Sequence, residues 1–199
     1  MKNRVLSVHQ EHELLVKLEQ AGLSETDAQA VIQSKGNALA KELIEVIRGV
    51  KVEGDFFLFP TSALTLNELW ERNQDLLYQG SNRWWKDRPF ANQKGKVGKL
   101  LLRTSAAPGS FNKTWGEQQG RLSEGEYVPT VRDLVEGMIY YHRVNGKRIF
   151  SDYWVRSQDV SSFGRRVNVG FYSDGVHVSF YWDDFPDSFI GLAVAWKSA

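Results

Sequence analysis

The chain contains no cysteine. That single absence removes disulfide staples, thiolate metal sites and thiol nucleophiles together. It leaves the compartment open, because a core of sufficient size folds without disulfides anywhere. Long apolar runs are also missing: no stretch approaches the roughly 18 residues of a membrane-spanning helix. The start, Met1-Lys2-Asn3-Arg4-Val5, runs into His9-Gln10-Glu11-His12-Glu13 without an apolar segment, so no Sec-type signal is predicted. Nor does charge of one sign dominate. Lys and Arg number 25 against 24 Asp and Glu, a net charge of +1, which gives no chain-wide attraction toward nucleic acid or an anionic membrane. No Gly-rich phosphate loop, His-Glu-x-x-His pattern or nucleophile elbow occurs, so the common signatures of catalysis are absent.

What is present is apolar and aromatic. A hydrophobic content of 42% and an aromatic content of 13% over 199 residues suffice for one sizeable domain plus a small appendage. Seven Trp and eleven Phe exceed what an ordinary core of this size absorbs, so some are expected at a binding surface.

Residues 8–48 read as helix. Leu14, Leu15, Leu18 and Ala21 recur at helical spacing up to Gly22, and Ser24 with Asp27 makes a capping-box-like start for a second helix. Gly36-Asn37 separates a third, carrying Leu39, Leu43, Ile44 and Ile47. The spacing predicts a minimal three-helix bundle over 1–50, a layout that ubiquitin-associated-type folds share with other small bundles. Its expected role is protein docking. A second domain is expected over 51–199. Phe56-Phe57-Leu58-Phe59 reads as a strand closed by Pro60, and Leu66, Leu69, Trp70, Asn73, Leu76 and Leu77 as one amphipathic helix. Residues 80–120 are irregular apart from Lys99-Leu100-Leu101-Leu102. Thr130 caps a second helix with Asp133 at its N3 position and a buried stripe of Val131, Leu134, Val135, Met138 and Ile139, ended by Asn145-Gly146. Short strands follow at 153–156, 166–169, 176–182 and 192–196, with Ser173-Asp174-Gly175 as a hairpin turn.

In the region 152–196, rigid and interchangeable residue types alternate. Val167, Val169, Val176, Val178, Trp182 and Gly191-Leu192 form a framework. Between them lie Ser161, Phe163, Arg165, Asn168, Phe171, Tyr172, His177 and Ser179, then Phe180, Tyr181 and Phe185-Pro186-Asp187-Ser188-Phe189. These share no chemistry. A catalytic site needs fixed groups in fixed roles, whereas a recognition surface needs a stiff scaffold carrying adaptable side chains. The pattern fits the second, and these fifteen residues are the candidate ligand-binding set. Trp154 and Trp196 are expected in the core.

Val128-Pro129-Thr130, a helix, Tyr153-Trp154-Val155-Arg156, a series of hairpins and the terminal Gly191-Leu192-Ala193-Val194 together resemble the C-type lectin fold. The similarity is to the branch shared by formylglycine-generating enzymes and the variable proteins of diversity-generating retroelements, and it covers 55–199. The resemblance implies an α+β fold: a C-type-lectin-like domain behind the helical bundle. It also implies a protein that displays a diversified surface to a protein or carbohydrate ligand, with no cofactor. In such retroelements template adenines are mutated, so AAC codons become NNC codons, which never encode Lys, Glu, Gln, Met or Trp. Between Asp159 and Phe189 only Trp182 falls outside that set.

Formylglycine-generating chemistry depends on active-site cysteines, so the same resemblance offers no route to catalysis here. Two rival readings remain. Trp182-Asp183-Asp184 is similar to the Trp-Asn-Asp segment of calcium-dependent, carbohydrate-binding lectins, which makes Asp183 and Asp184 weak candidate oxygen ligands. The Glu-Pro-Asn or Gln-Pro-Asp loop of those lectins is missing. The 83–103 segment, with Lys94, Lys96, Lys99 and Arg103 near Trp84 and Trp85, could bind nucleic acid, although acidic residues elsewhere balance its charge. His9, His12 and His142 read as solvated, and His177 as a surface contact.

Overall fold

The computed structural model describes residues 51–52, 55–80, 83–161 and 165–196. All lie within the unit Val46–Ala199. The three expected helices of 1–50 fall outside the described residues, as does Phe163.

Two sheets carry a mixed α+β architecture. The first has five strands: β1 (Lys51–Val52), β2 (Phe56–Thr61), β3 (Gly98–Arg103), β4 (Glu126–Tyr127) and β9 (Ala195–Trp196), in the order β1-β2-β3-β9-β4. The second has four: β5 (Trp154–Val160), β6 (Arg166–Tyr172), β7 (Gly175–Tyr181) and β8 (Ile190–Leu192), in the order β7-β6-β5-β8. Only β8 runs parallel to its neighbour, β5. The expected single strand 192–196 is two strands in different sheets. Between them Ala193 N donates to Arg156 O at 3.2 Å, while Arg103 N donates to Val194 O at 2.9 Å. The chain end thus ties the sheets together.

The helices are α1 (Leu66–Arg72), α2 (Pro89–Asn92), α3 (Trp115–Gln119) and α4 (Val131–Asn145). Helix α4 follows its sequence signals closely. Thr130 Oγ1 accepts from Asp133 N at 3.0 Å, and Gly146 ends the helix in the left-handed region at φ 65°. Val131, Leu134, Val135 and Met138 are wholly buried, each such side chain stabilising the fold by about 1.5–3 kcal/mol. The helix seats closely on the first sheet at Gly137, where a Cβ would lie 2.7 Å from Leu102 Cδ2. Helix α1 is shorter than its apolar spacing suggests. A Thr65–Glu68 capping box starts it, and Asn73 stops it by donating its side-chain amide to Leu69 O at 2.9 Å. Leu76–Tyr78 then leaves the helix and lies along the edge of β7: Val176 N donates to Leu76 O and Tyr78 N to Val176 O. Among the described residues, no helix is long and apolar enough to cross a membrane.

Candidate recognition surface

The pleat of the second sheet decides which candidate residues can meet a ligand. A two-residue turn, Ser173-Asp174, sets Tyr172 opposite Gly175 and so pairs Phe171 with Val176 and Val169 with Val178. Val155, Val167, Val169, Phe171 and Val176 therefore share the inner face and are buried at 0–1% exposure. Trp154, Arg156, Asn168, Tyr172, His177, Ser179 and Tyr181 share the outer one.

Three of the candidates are buried. Phe171 is 1% exposed, with the His142 ring 5.2 Å away on edge and the Arg148 guanidinium 5.4 Å from its centre. It belongs to the core because it is in phase with Val169. Asn168 faces outward but is 3% exposed beneath its neighbours, and Ser161 is 6% exposed at the end of the β5–β6 hairpin. Tyr172, His177, Ser179, Phe180, Tyr181, Arg165 and Asp187 are half-buried, and Phe185, Pro186, Ser188 and Phe189 are exposed. Phe180 sits on the inner side, on edge against Trp84 at 4.8 Å.

At one end of the outer face His177 is enclosed by rings. Tyr78 stacks on it at 4.1 Å, and Tyr172 and Trp154 meet it on edge at 5.4 and 6.2 Å. Its Nε2 lies 2.7 Å from Asp174 Oδ1, and that hydrogen bond lowers the Asp174 carboxyl below its ordinary value. The ring is held in one place. Tyr78 reaches it only because Gly175 lacks a side chain: a Cβ there would lie 2.6 Å from Tyr78 N.

At the other end the 182–189 loop is fastened from beneath. Arg156 is wholly buried. Its Nη1 donates to Lys113 O at 3.1 Å and Gln118 Oε1 at 2.9 Å, and its Nη2 to Trp182 O at 2.9 Å and Phe185 O at 3.0 Å. Burial lowers the guanidinium below its ordinary value, opposed by the charges of Asp183 and Asp187. The buried Gln118 passes the restraint on, donating from Nε2 to Ser110 O and Ile190 O at 2.8 and 3.0 Å. From outside, Trp115 N donates to Asp183 O at 2.8 Å and Asn112 N to Asp187 O at 2.9 Å. With its backbone fixed, the loop turns Trp182, Phe185 and Phe189 to solvent at 46%, 59% and 66% exposure. The Arg165 guanidinium lies 3.9 Å over the Trp182 ring. Exposed aromatics on a fixed backbone supply contact area at little entropic cost.

Asp183 is held by Arg166, with Nη2 to Oδ2 at 2.9 Å and Nε to Oδ1 at 3.4 Å, while Asp184 is exposed. Among the described residues, no group of three His, Asp or Glu could hold a metal ion. In the 83–103 segment, Trp85 is 2% exposed against Trp70, and Trp84 donates from Nε1 to Val178 O at 3.0 Å. The Trp85 ring is enclosed, and Trp84 is half-buried, in edge contact with Phe180. Arg103 pairs with Asp55 and Glu126 rather than standing as a free cation.

Arg156, Gln118 and Tyr78 were not candidates on sequence, and Trp154 was expected in the core. Alternation with Val155 carried the signal for Trp154 and Arg156; nothing local marks Gln118 or Tyr78. Trp196, also expected in the core, is 39% exposed and edges Phe56 at 6.2 Å. Comparison with known proteins finds no matching family, no similar curated protein and no similar solved structure.

Proposed function

We propose that this chain is a non-catalytic binding protein: a C-type-lectin-like domain that presents a diversified surface in the manner of retroelement variable proteins. The observation carrying this reading is the division of labour around Arg156. A buried side chain fixes the backbone of 182–189 through two carbonyls, while Phe185, Pro186, Ser188 and Phe189 make up an exposed set that can change without touching the core. Tyr172, Ser179 and Tyr181 extend that set across the outer face of the sheet. Ser161, Asn168 and Phe171 do not belong to it. The ligand is a protein or a carbohydrate, reached through rings rather than through a reacting group.

Randomising Ser179, Tyr181 and Phe185–Phe189 with Arg156 and Gln118 retained tests the reading. The expected library stays folded and yields binders to unrelated protein or glycan targets. A library that mostly unfolds would overturn the surface assignment. The flanking DNA tests the retroelement origin separately: a reverse-transcriptase gene and a near-copy of the 3′ end differing at adenines are expected there. Complete flanks with neither would leave a fixed-sequence binding protein.

A further inference from the structure

A groove of about 490 Å³ lies between the 93–100 segment and the start of α4. None of its lining belongs to the recognition surface. Lys94, Lys96, Tyr127, Asp133 and Asp159 line it, Phe90 and Leu100 supply apolar contact, and Lys99 borders it from β3, where alternation with Leu100 turns its side chain to the other face of the strand. The volume falls in the range of small-molecule sites, about 300–1,000 Å³.

The acidic and basic groups differ in how their charge is used. Asp133 Oδ1 is paired with Arg132 Nη1 at 2.7 Å. Asp159 Oδ2 accepts from Val131 N at 2.6 Å, and burial raises its carboxyl above the ordinary value. By contrast, Lys94, Lys96 and Lys99 form no ion pair among the described residues. The three lysines are thus free of short ion pairs, although the Lys94 charge reaches Glu68, whose carboxyl is lowered first by the Thr65 hydrogen bonds and then by Lys94. The backbone that carries them is fixed. Gly95 N donates to Leu64 O at 3.3 Å and Thr61 Oγ1 to Lys96 O at 2.7 Å. A Cβ on Gly95 would overlap the Arg132 guanidinium and the Ser62 carbonyl oxygen, so the segment lies directly on that buried arginine.

We infer that this groove binds a small organic anion, a carboxylate or phosphate carried on an apolar body. Lys94 and Lys96 neutralise its charged end, and Phe90, Leu100 and Tyr127 pack the body. A charge-assisted hydrogen bond is about twice as strong as a neutral one, which gives these lysines the larger share of affinity. The acidic groups opposite fix the orientation: they repel a ligand charged along its whole length and admit one charged at a single end.

Amide chemical shifts of the full chain, titrated with benzoate and with phenyl phosphate, test the inference. Saturable shifts are expected across Gly95–Leu100 and Thr130–Asp133 with at least one probe, and the tighter of the two identifies the headgroup. The double variant K94Q/K96Q should raise Kd by about tenfold or more and keep its unfolding midpoint, since both side chains are exposed. K86Q/K147Q should leave Kd unchanged. No saturable shift with either probe, shifts confined to 182–189, or equal affinity in the K94Q/K96Q variant would each overturn it. Inorganic phosphate binding as tightly as phenyl phosphate would overturn the apolar half of the site.

Discussion

Arg156 donates from beneath the 182–189 loop to the carbonyl oxygen of Phe185 at 3.0 Å, although the Phe185 ring is 59% exposed. The backbone of this residue belongs to the core and its side chain to the surface. Arg156→Leu should cost about 3–5 kcal/mol, because it leaves the Lys113, Trp182 and Phe185 carbonyls and Gln118 Oε1 without their donor. Arg156→Lys should recover only part of that, since an ammonium is a point charge and not a planar fork. Urea unfolding of the three proteins measures the series, and a Lys variant as stable as the parent would refute the clamp.

Exposure within the candidate set sorts its stability effects. Phe185→Ser and Phe189→Ser should shift stability by no more than about 0.5–1 kcal/mol, as both rings are mostly exposed. Phe171→Ala should cost about 3–5 kcal/mol through the cavity it leaves. Thermal unfolding compares them directly. Equal losses at Phe171 and Phe189 would mean that the loop ring is packed after all.

Much of the fold was legible because its signals are local. Thr130, Asp133, Gly146 and the apolar stripe between them define α4 without tertiary context. The hairpin around Ser173-Asp174 was equally readable. The division of 152–196 into surface and core was less so, because the residue types that mark the candidate set include Val and Phe of the core as readily as Tyr and Ser of the surface. Composition thus grouped Phe171 with Tyr172, and only strand phase separates them. The clamp was harder still. Arg156 binds Lys113, Gln118, Trp182 and Phe185, between 26 and 43 residues away in sequence, and no spacing rule links such distant partners. The apolar pattern through Leu76 and Leu77 predicted helix because burial is periodic there. In the structure the edge of β7 buries Leu77 instead.

Gly175 carries the close approach of the Leu76–Tyr78 segment to β7. Its φ of +128° lies outside the range L side chains readily adopt, and a Cβ would lie 2.6 Å from Tyr78 N and 2.8 Å from the Leu77 carbonyl carbon. Gly175→Ala should therefore cost about 1–3 kcal/mol from backbone strain alone, with further loss as the segment is pushed off the edge. Hydrogen exchange at the Tyr78 and Val176 amides should quicken, since each donates across that junction. Unchanged protection at both would show that the segment is held by its side chains.

Asp159 gives the protein an unusual response to acid. Burial raises its carboxyl above the ordinary 3.8, outweighing the hydrogen bond from Val131 N. In the pH interval between the unfolded value and the raised folded value, the native state keeps a proton that the unfolded chain releases. Rising pH through that interval therefore favours unfolding, and Asp159 contributes a negative slope to stability against pH. Glu136 acts in the same direction: burial raises it above 4.5 despite the pull of Ser62 and Arg132. Asp174 acts oppositely, since its lowered value adds stability that is lost as pH falls through it. Asp159→Asn keeps an acceptor for Val131 N and removes the titration. Measured by urea unfolding from pH 4 upward, the variant should show a more positive slope than the parent over the interval just above 3.8. A parallel pair of curves would mean that the Asp159 carboxyl titrates in the folded protein as it does in the unfolded chain.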